Sequence, residues 1–216
     1  MPRIARVVGV GMPHHITQRG NYQQPVFGDS KDRKQYLSWI REYADKFGLS
    51  ILVYCLMDNH VHFIVIPNKA DSLARTFNSA HMRYSQYFNR KMGARGHLWQ
   101  GRFYSCVLDS NHFIAAAKYV ERNPVRAGLV ENPWEWEWSS SRQNIGEETN
   151  LFEFMSMKPG DWKEYTGLKD DKKLAENIRK HTETGRPLGN AGFVAQLETK
   201  LGRKLHALPR GRPKAS

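Results

Sequence analysis

The amino-acid sequence predicts an α+β fold: a ferredoxin-like antiparallel sheet with helices on one face, followed by a small, basic, mainly helical C-terminal region. Three observations lead there. Periodic segments follow one another in the order β, α, β, β, α, β, α, and four strands with two helices so placed give that sheet. One 19-residue stretch, "LSILVYCLMDNHVHFIVIP", has the pattern of a tight hairpin. Beyond about residue 131 the chain turns first to turn-formers and then to charge, which marks a boundary. With 216 residues and 25.0 kDa, the chain has room for one full core and an appendage.

Each element has its own signal. "HHITQRGNYQQPVF" alternates and then meets Gly20, Asn21 and Pro25, which predicts a first strand over 13–19 and a loop. In "SKDRKQYLSWIREYADKFG" Tyr36, Leu37, Ile40, Tyr43, Ala44 and Phe47 recur at helical spacing, with Ser30 as N-cap and Gly48 as terminator. The hairpin turns at Met57, Asp58 and Asn59, and Pro67 ends its second strand. "SLARTFNSAHMRYSQYFNRKMG" carries Leu73, Phe77, Ala80, Tyr84, Tyr87 and Phe88 on one side and stops at Gly93. The loop "ARGHLWQG" leads to the strand "RFYSCVLD". The next helix extends to Asn123, because Pro124 disfavours helical geometry in the residue before it. Two further helices are predicted around Leu174 with Ile178, and around Phe193, Val194, Leu197 and Leu201.

Composition narrows the partner. Against 21 acidic residues stand 33 Lys and Arg, a formal net charge of +12 and a pI near 9.8, which point to a polyanion. There is no apolar run of about 18 residues and no convincing secretory signal, so a soluble, cytoplasmic protein with no membrane partner is expected. Cys55 and Cys106 both lie in apolar segments, which suits reduced core thiols and supports neither a disulfide framework nor a Cys-rich zinc site.

The chemistry-bearing signal is "HVH" at the start of the second hairpin strand. Residues i and i+2 of a strand share a face, so His60 and His62 stand side by side and could converge on one metal ion. Two ordinary strand-end histidines satisfied by their neighbours are the alternative. With "ITQRGN", "MDNHVHFIV", "LWQGRF", "YVERNPVRAGLV" and "WEWSS" in that order over residues 13–140, the chain resembles the HUH single-tyrosine transposases, in particular the REP-associated tyrosine transposases.

That resemblance implies an HUH endonuclease fold and a metal-dependent enzyme that cleaves and rejoins single-stranded or hairpin DNA at REP-like palindromes through a 5'-phosphotyrosine. It puts the metal ligands on His60 and His62, the nucleophile on Tyr119, and a further polar ligand on Asn123, one helical turn beyond Tyr119. Without it, Tyr84, Tyr87, Tyr104 and Tyr119 are not distinguishable, and Asn123 is equally a helix-ending residue before Pro124. The implied cofactor is a divalent cation, Mg²⁺ or Mn²⁺. The implied state is monomer or homodimer, nucleoid-associated.

Other candidates concern DNA contact. Arg19 opens the loop after the first strand, and the resemblance makes it a DNA-binding candidate, a solvated arginine being the alternative. Trp99 with Arg95 and Arg102 joins an aromatic plane to cations, as suits an unpaired strand; core anchoring of Trp99 competes with this. Trp134, Trp136 and Trp138 alternate and in an extended segment would share a face, docking the tail onto the domain. At the end, Arg210 and Arg212 of "PRGRPK" resemble a minor-groove hook. The expected division is 1–130 catalytic, 131–149 Trp-rich connector, and 150–216 a basic DNA-binding region. None of the four residues assigned to the reaction lies in the last part, so it is expected to be dispensable for cleavage. Two other functions compete: a non-catalytic nucleic-acid-binding module on the same sheet, and a zinc hydrolase, for which no third ligand stands nearby in sequence.

Overall fold

The structure is a computed structural model that describes residues 5–147 and 157–206. Its elements are β1 (His14–Arg19), α1 (Ser30–Phe47), β2 (Leu49–Leu56), β3 (His60–Pro67), α2 (Ser72–Met92), β4 (Tyr104–Val107), α3 (Ser110–Glu121), the short turns α4 (Asn123–Arg126) and α5 (Ser141–Asn144), then α6 (Pro159–Gly167), α7 (Lys172–Thr184) and α8 (Ala191–Leu201). The strands form one antiparallel sheet in the order β2-β3-β1-β4. This is the ferredoxin-like arrangement that the element order predicts. Arg210, Arg212 and the whole "PRGRPK" motif lie outside the described residues.

The five helices expected from the sequence, α1, α2, α3, α7 and α8, all form, and they differ from expectation at their ends. Asp29, not Ser30, caps α1, its side chain accepting from the Asp32 N–H at 2.9 Å, and Gly48 closes the helix with φ at +66°. Ser30 is itself helical because the stronger acceptor stands one residue earlier. The helix α3 ends at Glu121 rather than Asn123: Arg122 leaves helical geometry (φ −83°, ψ 6°), and α4 begins afresh with Pro124 in its first turn, where a missing N–H costs nothing. The sequence reading missed α6, whose buried residues are Trp162 and Thr166.

One face of the sheet, formed by Ile16, Val61, Phe63 and Val65, packs under α1 and α2 through Tyr36, Ile40, Ala44, Leu73, Phe77, Ala80 and Tyr84. Burying each of the Val, Leu, Ile and Phe side chains among them contributes about 1.5–3 kcal/mol. The opposite face, with Val53, Cys55, Ile64 and Cys106, is covered by α3 through Ala116, Ala117 and Val120, and by the C-terminal region through Trp162, Ala175, Ile178 and Leu188. A third cluster docks Leu197 of α8 against Val7 and Val107.

The alternating tryptophans do not share a face. Residues 133–135 form a 3-10 turn, and the chain then bends round the β2 edge, so Trp134 and Trp136 pack on the second core and Trp138 on the first. There the Leu56 N–H donates to the Trp138 carbonyl at 2.8 Å and the Ser140 N–H to the Tyr54 carbonyl at 3.0 Å, which blunts an otherwise open sheet edge.

Candidate active site

The register of β1 and β3 builds the site. Thr17 faces His62 and Arg19 faces His60 across the ladder. Opposed residues point to one side, so His15, Thr17, Arg19, His60 and His62 stand on the second face of the sheet. Over them lies Tyr119 of α3, its ring centroid 6.0 Å from that of His62 and 5.8 Å from that of His15, both edge-on. Asn123 and Arg126 from α4 and Arg179, Thr182 and Glu183 from α7 complete an open cleft of about 410 Å³. Histidine pair, tyrosine and asparagine, far apart in sequence, thus meet in one place.

Tyr119 is held on several sides. Its ring lies under the Arg126 guanidinium, 4.0 Å from carbon to centroid, and the Arg179 Nε–H donates to its hydroxyl oxygen at 3.3 Å. Arg126 also donates to the Tyr119 carbonyl. With Arg19 these make three cations lining the cleft, a setting that favours an anion. Arg126 lies within "YVERNPVRAGLV" but has no signal of its own there, and Arg179 lies in no motif and in the region expected to be dispensable for cleavage.

Both histidines of the pair are held in the neutral form. Burial holds the His60 imidazole down at about 4, helped by the charges of Arg19 and Arg126 against the opposing pull of Asp58. Burial likewise drives His62 well below its usual value, with His60, His15 and Arg126 adding to it. Both rings are therefore neutral near pH 7, as a ligand must be. The tautomer of His60 is fixed as well. Asn59 Nδ2 donates to the Gln23 carbonyl at 3.1 Å, which orients Asn59 Oδ1 as the acceptor for His60 Nδ1–H at 2.6 Å. His60 Nε2 is left with a lone pair.

Asn123 donates its amide nitrogen to the Val120 carbonyl at 3.1 Å, which leaves its side-chain oxygen as the possible ligand atom. Among the described residues no group of three or more His, Cys, Asp or Glu side chains is placed to hold a metal. A cation here would accordingly rest on His60, His62 and Asn123, with remaining positions left to water and phosphate oxygen. Such a donor set fits a weakly held borderline ion, and it suits Mn²⁺ better than Mg²⁺, which prefers oxygen throughout.

The remaining candidates fall elsewhere. Arg19 is exposed at the mouth of the cleft. Arg102 lines an adjacent groove with Arg6, Phe103 and Thr182, while Arg95 is exposed in the loop after α2 and does not line the cleft. Trp99 is a core anchor: it is buried beside Tyr36 and Tyr84, and its indole N–H donates to the His81 carbonyl at 3.3 Å. No helix among the described residues is long and apolar enough to cross a membrane.

Comparison with known proteins follows the same lines. The sequence profile of the family described as "Transposase IS200 like" matches residues 10–123, more than half of the chain and all of the sheet. A protein of Haemophilus influenzae provisionally named a REP-associated tyrosine transposase is 20% identical over 139 residues, 59% of this chain and 74% of the relative. Among solved structures, a REP-associated tyrosine transposase bound to a REP hairpin superposes with a TM-score of 0.56 at 17% identity, over 73% of this chain and 98% of that one. The fold is shared.

Proposed function

The chain belongs to the IS200-like transposase family, and from that premise we propose that it cleaves and rejoins single-stranded DNA at palindromic, REP-like hairpins, with Tyr119 as nucleophile. The observation that carries this reading is the meeting of Tyr119 with His60 and His62 in one cleft edged by Arg19, Arg126 and Arg179. The solved relative is bound to a REP hairpin, and the same class of DNA is the substrate proposed here.

In the proposed reaction the Tyr119 oxygen bonds to the phosphorus while the bond from phosphorus to the 3' oxygen breaks. The phenolic proton leaves and the departing alkoxide takes one up, giving a 5'-phosphotyrosine and a free 3'-hydroxyl. Attack by a 3'-hydroxyl on the phosphotyrosine reverses the process and joins strands without ATP. Arg179 orients the tyrosine oxygen, and its N–H suits that oxygen both as nucleophile and as leaving group. Arg126 keeps the ring edge-on to the imidazoles, and Arg19 supplies positive charge where the strand enters. A divalent cation held by His60, His62 and Asn123 would neutralise a non-bridging phosphoryl oxygen. All these groups lie in one chain. Arg95 and Arg102, with Arg210 and Arg212, are proposed to follow the DNA backbone further out.

Labelled palindromic oligonucleotides, incubated with and without Mn²⁺ or Mg²⁺, test the reading. Tyr119→Phe should bind the hairpin like the wild type and cleave nothing, since the ring still packs and only the hydroxyl is lost. His60→Ala and His62→Ala should lose cleavage, with poor rescue by excess metal. Wild-type cleavage by Tyr119→Phe would assign the reaction elsewhere and favour a binding module.

A further inference from the structure

His15, the residue before "ITQRGN", is fully buried beside the site and both of its ring nitrogens are engaged. Its Nε2 lies 2.9 Å from His62 Nδ1 and its Nδ1 lies 2.8 Å from the hydroxyl of Thr182, on α7. The two imidazoles are parallel within 2°, with centroids 5.1 Å apart. With the nitrogens at 2.9 Å, that separation puts the rings edge to edge in one plane, so the contact is an in-plane hydrogen bond and not a face-to-face stack.

The proton on each nitrogen follows from the end of the chain. The Thr182 hydroxyl is 2.8 Å from the Ile178 carbonyl, which can only accept, so the hydroxyl proton goes there. Thr182 Oγ then accepts, and His15 must present Nδ1–H to it. His15 Nε2 is left as an acceptor, and His62 must present Nδ1–H in turn. His62 Nε2 then carries the lone pair, as His60 Nε2 does through Asn59. The opposite polarity, with Thr182 donating to His15, would put hydrogen on His62 Nε2 and disable it as a ligand.

We propose that Thr182 and His15 form a relay from the C-terminal region that fixes the tautomer and orientation of the metal ligand His62, so that α7 sets the metal affinity of a site it does not ligate. His15 and Thr182 are positioning residues. The relay rests on the functional reading above and deepens it. Outer partners of ligating histidines typically change metal affinity about 10–100-fold when removed.

The test uses the full chain and Mn²⁺ as probe, with free Mn²⁺ followed by electron paramagnetic resonance and tautomers read from ¹⁵N resonances of the histidine rings. Metal-free wild type should show His62 protonated at Nδ1 and not at Nε2. Thr182→Val keeps the volume but removes the acceptor, and His15→Leu removes the relay; each should weaken Mn²⁺ about tenfold or more. Thr182→Ser, which restores the hydroxyl, should return to near wild-type affinity. His62 protonated at Nε2 in the wild type, a result that needs no variant, would overturn the proposal. So would wild-type affinity in both Thr182→Val and His15→Leu. If the wild type binds no Mn²⁺ at all, the metal-dependent reading falls and the relay with it, whereas normal wild-type binding with indifferent variants removes the relay alone.

Discussion

Glu121, two residues past the tyrosine, is fully buried, and three neutral donors converge on its carboxylate: Ser140 Oγ at 2.8 Å, Asn144 Nδ2 at 2.6 Å and the Trp162 indole N–H at 2.9 Å. Burial pushes its pKa up while those donors pull it down. It joins α3 to α5 and α6, and so fixes the helix that carries Tyr119. Glu121→Ala leaves the buried Trp162 indole N–H without an acceptor and leaves Ser140 Oγ and Asn144 Nδ2 only their longer contacts, to the Tyr54 carbonyl at 3.4 Å and to Ser140 Oγ at 3.3 Å, so a loss of about 1–3 kcal/mol is expected in urea unfolding. Glu121→Gln, which keeps an acceptor oxygen, should cost less. A change below about 1 kcal/mol for alanine would show that the carboxylate is not the hub described. The sequence shows "YVERNP" as a string, but it cannot show that Glu121 is structural while its neighbour Tyr119 faces the cleft. That division is made by helix phase together with residues 19 to 41 positions away.

At the scale of elements, β1 and α2 each carry a buried histidine held neutral. His14 Nε2 accepts from the Gly9 N–H at 3.2 Å while Nδ1 donates to the Met12 carbonyl at 2.8 Å, and burial lowers its pKa to about 4. His81, bonded to the Tyr36 hydroxyl at 2.9 Å, is lowered by burial to about 3. Both titrate near 6.5 when unfolded, so the unfolded chain takes up protons first as pH falls. Their contribution is complete above about pH 6.5 and is lost between there and pH 3–4, by about 1.4 kcal/mol per pH unit for each. Urea midpoints at pH 7.5, 5.5 and 4.5 should fall progressively, and a flat profile to pH 4.5 would contradict neutral burial. Strand alternation and helix spacing are local, which is why the four strands, α1, α2, α3, α7 and α8 could be read from sequence, and why His60 and His62 could be placed on one face. The helix α6 lacks an apolar stripe and left no such trace. His15 and Thr182, 167 positions apart, meet only because α7 crosses the sheet.

For the whole molecule, the C-terminal region is part of the core and of the cleft. Trp162, Ala175, Ile178 and Leu188 share one cluster with Val53, Ile64 and Val120, while Arg179 and Thr182 line the site. Truncation near residue 150 should therefore expose the second face of the sheet and abolish cooperative unfolding, followed by circular dichroism, along with cleavage. A truncated chain that unfolds like the full one and still cuts a short hairpin would show the region to be an independent attachment, as the change in composition suggests. The intact chain is needed for the measurement that bears most directly on the central claim, the identity of the nucleophile. Wild-type protein is incubated with Mn²⁺ and a palindromic single strand, digested, and searched by mass spectrometry for a nucleotide-bearing peptide. The predicted result is a 5'-phosphodeoxynucleotide on Tyr119, absent from Tyr119→Phe. An adduct on Tyr84, Tyr87 or Tyr104, or cleavage of the strand with no covalent adduct at all, would contradict it.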